Sequence, residues 1–389
     1  MSAFYYPRPA LVQALLDAMS GQDPFSDAAN GIFLSAPRRT GKSTFLRNEL
    51  LPALESDGKL LIYVDLWSDR KRDPAALIAS EICAALKHHL PALVRGARSA
   101  GVSQLTIAGW LKIDPAKVGT IEGLTLPDAL KVLHAAAGKA IVLIIDEAQH
   151  ALSSEDGEAT MMALKSARDQ LNRPGDTKLF LIMSGSDRDK FLRLLNSSAA
   201  PFYGSAISKM PLLDAAFIAQ AAAKIEAAAP HLMPVNRDKL ERAFARFGHR
   251  PQAFLAALSE AANALHQPSP GFEDEVLHAA ERQSAEEEQG MANLYLALRP
   301  LEQALVWRML EQGGRFRPYD AAALAFYSEH AGEKASTAQI QNIIEALRSQ
   351  SPSLVRKSAK GEYAIEDVGM YEWFQRLVAA GAWPPMAEN

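Results

Sequence analysis

Four short runs of continuous apolar residues mark the first half of the chain, at 31–36, 60–66, 140–145 and 178–183, each separated from the next by sequence of helical periodicity. Runs of this length without alternation are the pattern of strands buried on both faces. Their alternation with helices predicts a parallel sheet covered on both sides. A shorter fifth strand is predicted at 206–210. The stretch from Lys42 to about Leu51 reads as a helix stopped by Pro52. Residues 101–126 break the alternation, with Leu105, Ile107, Trp110, Leu111 and Ile113, then Asp114-Pro115, then Val118, Ile121 and Leu124. A turn dipeptide between apolar segments predicts an inserted hairpin or short helical excursion at about 96–125.

From Leu212 the strand pattern stops. Alanine-rich helical sequence runs to about Glu288, broken at Pro230, Pro234 and Pro251, and Glu286-Glu-Glu-Gln-Gly290 reads as a solvated hinge. Beyond it, helices are predicted at 301–311, 320–330 and 337–350. In the last of these Ile340, Ile343, Ile344 and Leu347 share one face. Leu354–Lys357 and Glu362–Ile365 flank a glycine-containing turn, so three helices precede a two-stranded wing. The expected domains are 1–211 (with the insertion), 212–289 and 290–389.

A length of 389 residues leaves room for two or three domains, and a net charge of −4 argues against a chain coated in basic surface. Cys83 is the only cysteine, which excludes an internal disulfide and a cysteine-based zinc site. The N-terminus lacks a basic-then-apolar leader, and no apolar run reaches the ~18 residues of a membrane span. A cytoplasmic protein without membrane association is expected.

The most specific chemistry lies in Ala36-Pro37-Arg38-Arg39-Thr40-Gly41-Lys42-Ser43-Thr44, which follows a predicted strand and opens a helix. Spacing and context match a phosphate-binding Walker A loop. Gly41 lets backbone amides approach phosphates at a helix N-terminus, Lys42 would neutralise the β/γ oxygens, and the Ser43 hydroxyl would ligate magnesium. Ala36 replaces the usual first glycine, a change tolerable if φ there is negative.

About a hundred residues on, 141–145 ends in Asp146-Glu147. Asp146 would hold magnesium and Glu147 would orient the attacking water as a base. The fourth strand ends in Met183-Ser184-Gly185-Ser186; Ser184 is the first choice and Ser186 the second for a contact to the γ-phosphate or the water, against a simple strand-ending turn. The absence of an Asn-Lys-x-Asp sequence favours ATP over GTP.

This order of motifs, followed by a helical lid and a winged helix, resembles the AAA+ ATPases, within them the archaeal-type ATPase, STAND and initiator branch. Tyr6-Pro7-Arg8, Pro-Arg-Arg-Thr-Gly-Lys-Ser and Gly248-His249-Arg250-Pro251 support that branch, and Asp146-Glu147-Ala148-Gln149-His150 is similar to the version in transposon-encoded target-selection ATPases. The resemblance implies a P-loop α/β fold, a parallel sheet with helices on both faces followed by a helical lid and a winged helix-turn-helix domain. It also implies ATP/ADP and Mg2+ as ligands, a homo-oligomer, an adenine pocket bordered by Tyr6 and Arg8, and Arg250 as a sensor, unless Arg250 is a surface arginine before a helix-starting proline. Relatives often carry an arginine before the fifth strand that reaches a neighbouring subunit's nucleotide. Residues 201–206 hold none, and Arg188 and Arg193 are the nearest substitutes. Slow hydrolysis by the isolated protein is therefore expected.

Three roles follow. The first is an oligomeric switch acting on DNA through the winged helix. The second is a STAND-like signalling or defence switch with a protein partner. The third is a structural nucleotide-binding component that scarcely hydrolyses. From Met291 onward ten Lys and Arg face eleven Asp and Glu, and only Arg356, Lys357 and Lys360 in the wing form a basic group.

Overall fold

The structure is a computed structural model that describes residues 4–21, 26–69, 71–89, 125–186, 191–195, 200–262, 271–313, 316–350, 353–359 and 362–386. The insertion read at about 96–125 and Arg188 fall outside these residues, apart from Thr125. The chain divides into two compact units, Met1–Ala221 and Ala222–Asn389.

In the first unit, β1 (Ile32–Ser35), β2 (Leu60–Asp65), β3 (Ile141–Asp146), β4 (Leu179–Gly185) and β5 (Ile207–Lys209) form one parallel sheet in the order β2-β3-β4-β1-β5. Every residue of β3 and β4 is buried, as their unbroken apolar runs require. Alternate side chains feed two cores. Ile141, Leu143 and Ile145 pack with Leu130 and Leu133 of α4 (Leu126–Ala137) and Leu164 of α5 (Glu155–Leu171), whereas Val142 and Ile144 pack with Leu15 of α1 (Pro9–Ser20) and Leu46 and Leu50. The remaining cover is α3 (Pro74–His88), N-capped by Asp73, whose carboxylate accepts from the Ala75 amide at 2.8 Å.

Pro52 does not end the helix after the phosphate loop. The segment begins as Lys42–Phe45, passes through a π turn at Leu46–Leu50 and resumes as Leu51–Ser56; together these are α2. A proline inside a regular helix removes an amide and presses its ring on the preceding turn. The π turn widens that turn just before Pro52, which then opens the last α segment as a first-turn proline.

Gly157 in α5 is a position where the backbone leaves no room: a Cβ built there would lie 2.2 Å from the Ala151 carbonyl oxygen. Backbone cannot yield as a flexible side chain does. Gly157→Ala is expected to destabilise the first unit by about 1–3 kcal/mol, read as a lowered urea midpoint; an unchanged midpoint would contradict the close contact.

The helix α6 (Ala215–Ala228) carries the division between the units. The second unit contains α7 (Arg237–Arg246), α8 (Pro251–Ala261) and α9 (Phe272–Leu296), then α10 (Pro300–Gln312), α11 (Ala321–Ala331), α12 (Thr337–Ser349), the antiparallel pair β6 (Val355–Ala359) and β7 (Glu362–Ile365), and α13 (Val368–Ala379). The three helices and wing stand where the sequence places them, and Ile340, Ile344 and Leu347 are buried with Leu305, Tyr327 and Trp373. Two features differ from expectation. Residues 286–290 are no hinge: α9 runs through them without a break, Gly290 being one poor helix former among glutamates and alanines in a helix packed on α7 and α8. The helix α13 was not anticipated, and Arg376 on it pairs with Glu288 on α9 at 3.1 Å. No described helix is long and apolar enough to cross a membrane.

Candidate functional site

The strand order decides what meets. β1 lies between β4 and β5, and β3 between β2 and β4, so the carboxyl ends of β1, β3 and β4 are adjacent. In open α/β sheets ligands bind in the crevice outside those ends. The loop 36–41 leaves β1 there. Arg39 (φ 64°) and Gly41 (φ 89°) both take left-handed backbone conformations, and the Thr40 hydroxyl donates to the Pro37 carbonyl at 2.8 Å. Alternating backbone handedness of this kind turns successive amides inward into an anion-binding concavity. Ala36 does not adopt positive φ, which is why alanine can stand at the usual first glycine. Pro37, Arg39 and Thr44 are exposed.

Lys42 and Ser43 reach from the first turn of α2 to the end of β3. The Lys42 ammonium, 5% exposed, lies 2.7 Å from Asp146 Oδ1, 2.7 Å from Glu147 Oε1 and 3.2 Å from Ser184 Oγ. The Ser43 hydroxyl donates to Asp146 Oδ2 at 2.6 Å, and the Ser184 hydroxyl donates to Asp146 Oδ1. Burial alone would raise the Asp146 carboxyl, but the Lys42 charge and the hydrogen bonds from Lys42, Ser184 and Ser43 outweigh it and hold the pKa down to about 2. Glu147 is likewise lowered, with burial opposed by Lys42 and by hydrogen bonds from Ser186 and Gln149. The structure thus assembles Lys42, Ser43, Asp146, Glu147 and Ser184, and adds Ser186, whose hydroxyl lies 2.6 Å from Glu147 Oε2.

Several contributors were not singled out in the sequence. Gln149 Nε2 donates to Glu147 Oε2 at 2.5 Å. Tyr63 donates to Asp146 Oδ2 at 3.0 Å, with Arg47 over its ring and Arg47 also paired to Asp65 at 2.7 Å. Burial and the neighbouring Asp146 push the Tyr63 phenol up, so it remains a donor. The register Asp65↔Asp146 across β2 and β3 is the structural reason Tyr63 lies beside this carboxylate.

Arg8 closes the other side of the loop. Its Nη2 donates to the Gly41 carbonyl at 3.0 Å, its backbone amide and Nε bond Glu49, and its guanidinium lies 4.7 Å from the Phe45 ring centre. Burial lowers its pKa, against Glu49. Tyr6 packs edge-on to Phe217 at 5.7 Å. Arg250 belongs to the second unit, where its guanidinium forms a fork on Glu287 at 2.8 and 3.1 Å and its Nε donates to the Phe247 carbonyl.

The donor set fits the ligands expected of it. An amide-lined loop beside a buried ammonium suits a polyphosphate. The Ser43 hydroxyl and an Asp146 carboxylate that stays ionised are the hard oxygens magnesium takes from a protein that leaves its other positions to water and phosphate.

Residues 26–191 match the family of AAA domains. No curated protein matches the sequence significantly. Among solved structures, the ADP form of the Aeropyrum pernix ORC2 protein is 15% identical over 98% of this chain and 97% of its own, with a TM-score of 0.51. The Walker-type ATPase of Pyrococcus abyssi is 15% identical over 95% of each chain, with a TM-score of 0.47. The phosphate loop and the Asp146-Glu147 strand end, which meet at the end of the parallel sheet, both lie within residues 26–191, the stretch that matches the AAA domain family.

Proposed function

We propose that this chain is an ATP-driven switch: it binds ATP at 37–44, hydrolyses it at Glu147, and its nucleotide state governs what the second unit binds. The observation that carries this reading is the meeting of Lys42, Ser43, Asp146, Glu147 and Ser184 within hydrogen-bond distances at the ends of three adjacent strands. Lys42 would turn from the carboxylates to the β/γ-phosphate oxygens, Ser184 would orient the terminal phosphate or the water, and Glu147 would accept the water's proton. Magnesium held by Ser43 and Asp146 would neutralise phosphate charge when bound. Arg8 and Tyr6 would border the base.

The winged helix of the second unit is the proposed output. Its near-balanced charge supports a protein partner as readily as DNA. Contact with DNA through Arg356, Lys357 and Lys360, whose side chains lie outside the described ones, would neutralise few phosphates and weaken steeply with salt. A homo-oligomer belongs to the same proposal, although Lys42, Ser43, Asp146 and Glu147 come from one chain.

A melting experiment tests the reading. ATP with magnesium at 100 times its dissociation constant should stabilise the first unit by about 2.7 kcal/mol, and phosphate release should stop when EDTA removes the metal. Absence of both a shift and turnover at saturating nucleotide would sink the ATPase assignment.

A further inference from the structure

We infer that Arg38, carried by the phosphate loop itself, supplies in cis a second cation for the transferring phosphoryl group. This rests on the ATPase reading above and assigns a role in it that no residue of 201–206 offers, since none is an arginine.

Glu147 is flanked on its two oxygens. Lys42 touches Oε1 directly at 2.7 Å, and Ser186 touches Oε2 at 2.6 Å. Behind Ser186, at 3.4 Å, lies Arg38 Nε. Two cations therefore bracket the base, one in contact and one a single hydroxyl away. The guanidinium is placed by stacking 4.9 Å from the Trp67 ring centre, at the end of β2, so little side-chain freedom remains to be lost when it engages a ligand. Its Nη2 is buried and has no hydrogen-bond partner among the described residues. A buried guanidinium donor without an acceptor is unfavourable, and the hydrogen bond Arg38 makes to Ser186 among the described residues is long and weak enough to exchange. A planar fork of this kind takes phosphate oxygens two at a time. Arg39, next in the loop, is exposed and does not share this placement.

In the step, the water oxygen bonds to the γ-phosphorus and its proton passes to the Glu147 carboxylate. The bond from γ-phosphorus to the bridging oxygen breaks, its electron pair leaves with ADP, and inorganic phosphate forms. Negative charge spreads over the γ and bridging oxygens as this proceeds, and there Arg38 donates. After cleavage and phosphate release those acceptors are gone, and Arg38 returns to Ser186. An arginine in cis makes turnover independent of assembly.

Single-turnover phosphate release by the full chain, over a wide range of protein concentrations, tests this with Arg38→Ala and Arg38→Lys. The wild type should turn over at about 10⁻² s⁻¹ regardless of concentration, the rate of P-loop enzymes with an arginine in cis, and Arg38→Ala about 20-fold or more slower, as in those with none. ATP affinity should stay within about threefold, because the interaction belongs to the transition state rather than the ground state. A merely structural arginine would leave transition-state mimicry untouched. In Arg38→Ala, ADP with fluoroaluminate should therefore bind no tighter than ADP alone, while the wild type gains affinity. Arg38→Lys keeps the charge and the stem, so it folds even if the alanine variant does not, and its lack of a fork should still slow release. Wild-type rates in either variant, or a wild-type rate that rises steeply with concentration, would overturn the inference. A wild type that binds no ATP would remove the ATPase reading and this inference with it.

Discussion

Replacing Lys42 by alanine will weaken ATP binding by about 100-fold or more, since a charge-assisted hydrogen bond contributes about 1.5–3 kcal/mol and the ammonium serves at least two phosphate oxygens. The loss has a second source in this chain. Lys42 also neutralises Asp146 and Glu147 at 2.7 Å each, so its removal leaves two carboxylates facing incoming phosphates. The nucleotide-free protein will show the same change as a reversal in pH dependence. In the wild type the Asp146 carboxyl is held at about 2, below its ordinary value; its contribution to stability is present at neutral pH and is lost as pH falls through about 2. Without the ammonium, burial dominates and raises the carboxyl, so the folded state binds its proton more tightly than the unfolded chain. Stability of Lys42→Ala should therefore fall as pH rises from about 4 toward neutrality. Isothermal titration and urea midpoints across pH measure the two effects. Wild-type affinity in Lys42→Ala would remove the phosphate-loop assignment.

The groups that make this site were legible to different degrees, and the differences have physical causes. Ile32–Ser35 and Ile141–Asp146 are buried on both faces, so their apolar runs could be read without knowing their neighbours. Lys42 and Ser43 open the helix that follows the phosphate loop, and Asp146 and Glu147 stand at the end of β3, in a motif spacing that chemistry restricts. Tyr63 acts between distant segments, which periodicity does not encode, and inside an apolar strand it looks like core, whereas Gln149 reaches back to Glu147 only two residues earlier through a local turn that periodicity does not show either. Pro52 misleads because a rule for regular helices meets a π turn. At 286–290 polarity and one glycine resemble a hinge, yet the helix persists because Phe272, Val276 and Ala280 anchor it on the apolar side and Tyr295 holds its far end. The helix Val368–Ala379 did carry a signal: Met370, Trp373, Phe374 and Leu377 fall at i, i+3, i+4 and i+7, and the first three are buried.

Glu147→Gln should retain ATP binding while hydrolysis falls by about 100-fold or more, the typical contribution of a positioned general base. The backbone of Glu147 is left-handed (φ 56°, ψ 42°), a conformation unfavourable for a side-chain-bearing residue and tolerated where the surroundings enforce it. Here the enforcement is visible: Lys42, Ser186 and Gln149 all grip the carboxylate. In this arrangement Glu147 is a poor base, because its carboxyl is held below the usual range, burial notwithstanding, by Lys42 and these hydrogen bonds. The arrangement is thus a resting one. When Lys42 turns to phosphate the carboxylate loses its counter-charge while remaining buried, and its proton affinity rises toward the value a base needs. Glutamine keeps the shape and can still accept from Ser186, but it takes no proton. It also removes one negative charge beside the terminal phosphate, so ATP affinity should be equal or higher. Titration calorimetry and single-turnover phosphate release on the same preparation separate the two effects. Unchanged release would move the base to another residue, and lost binding would make Glu147 part of the nucleotide's ground-state site rather than its chemistry.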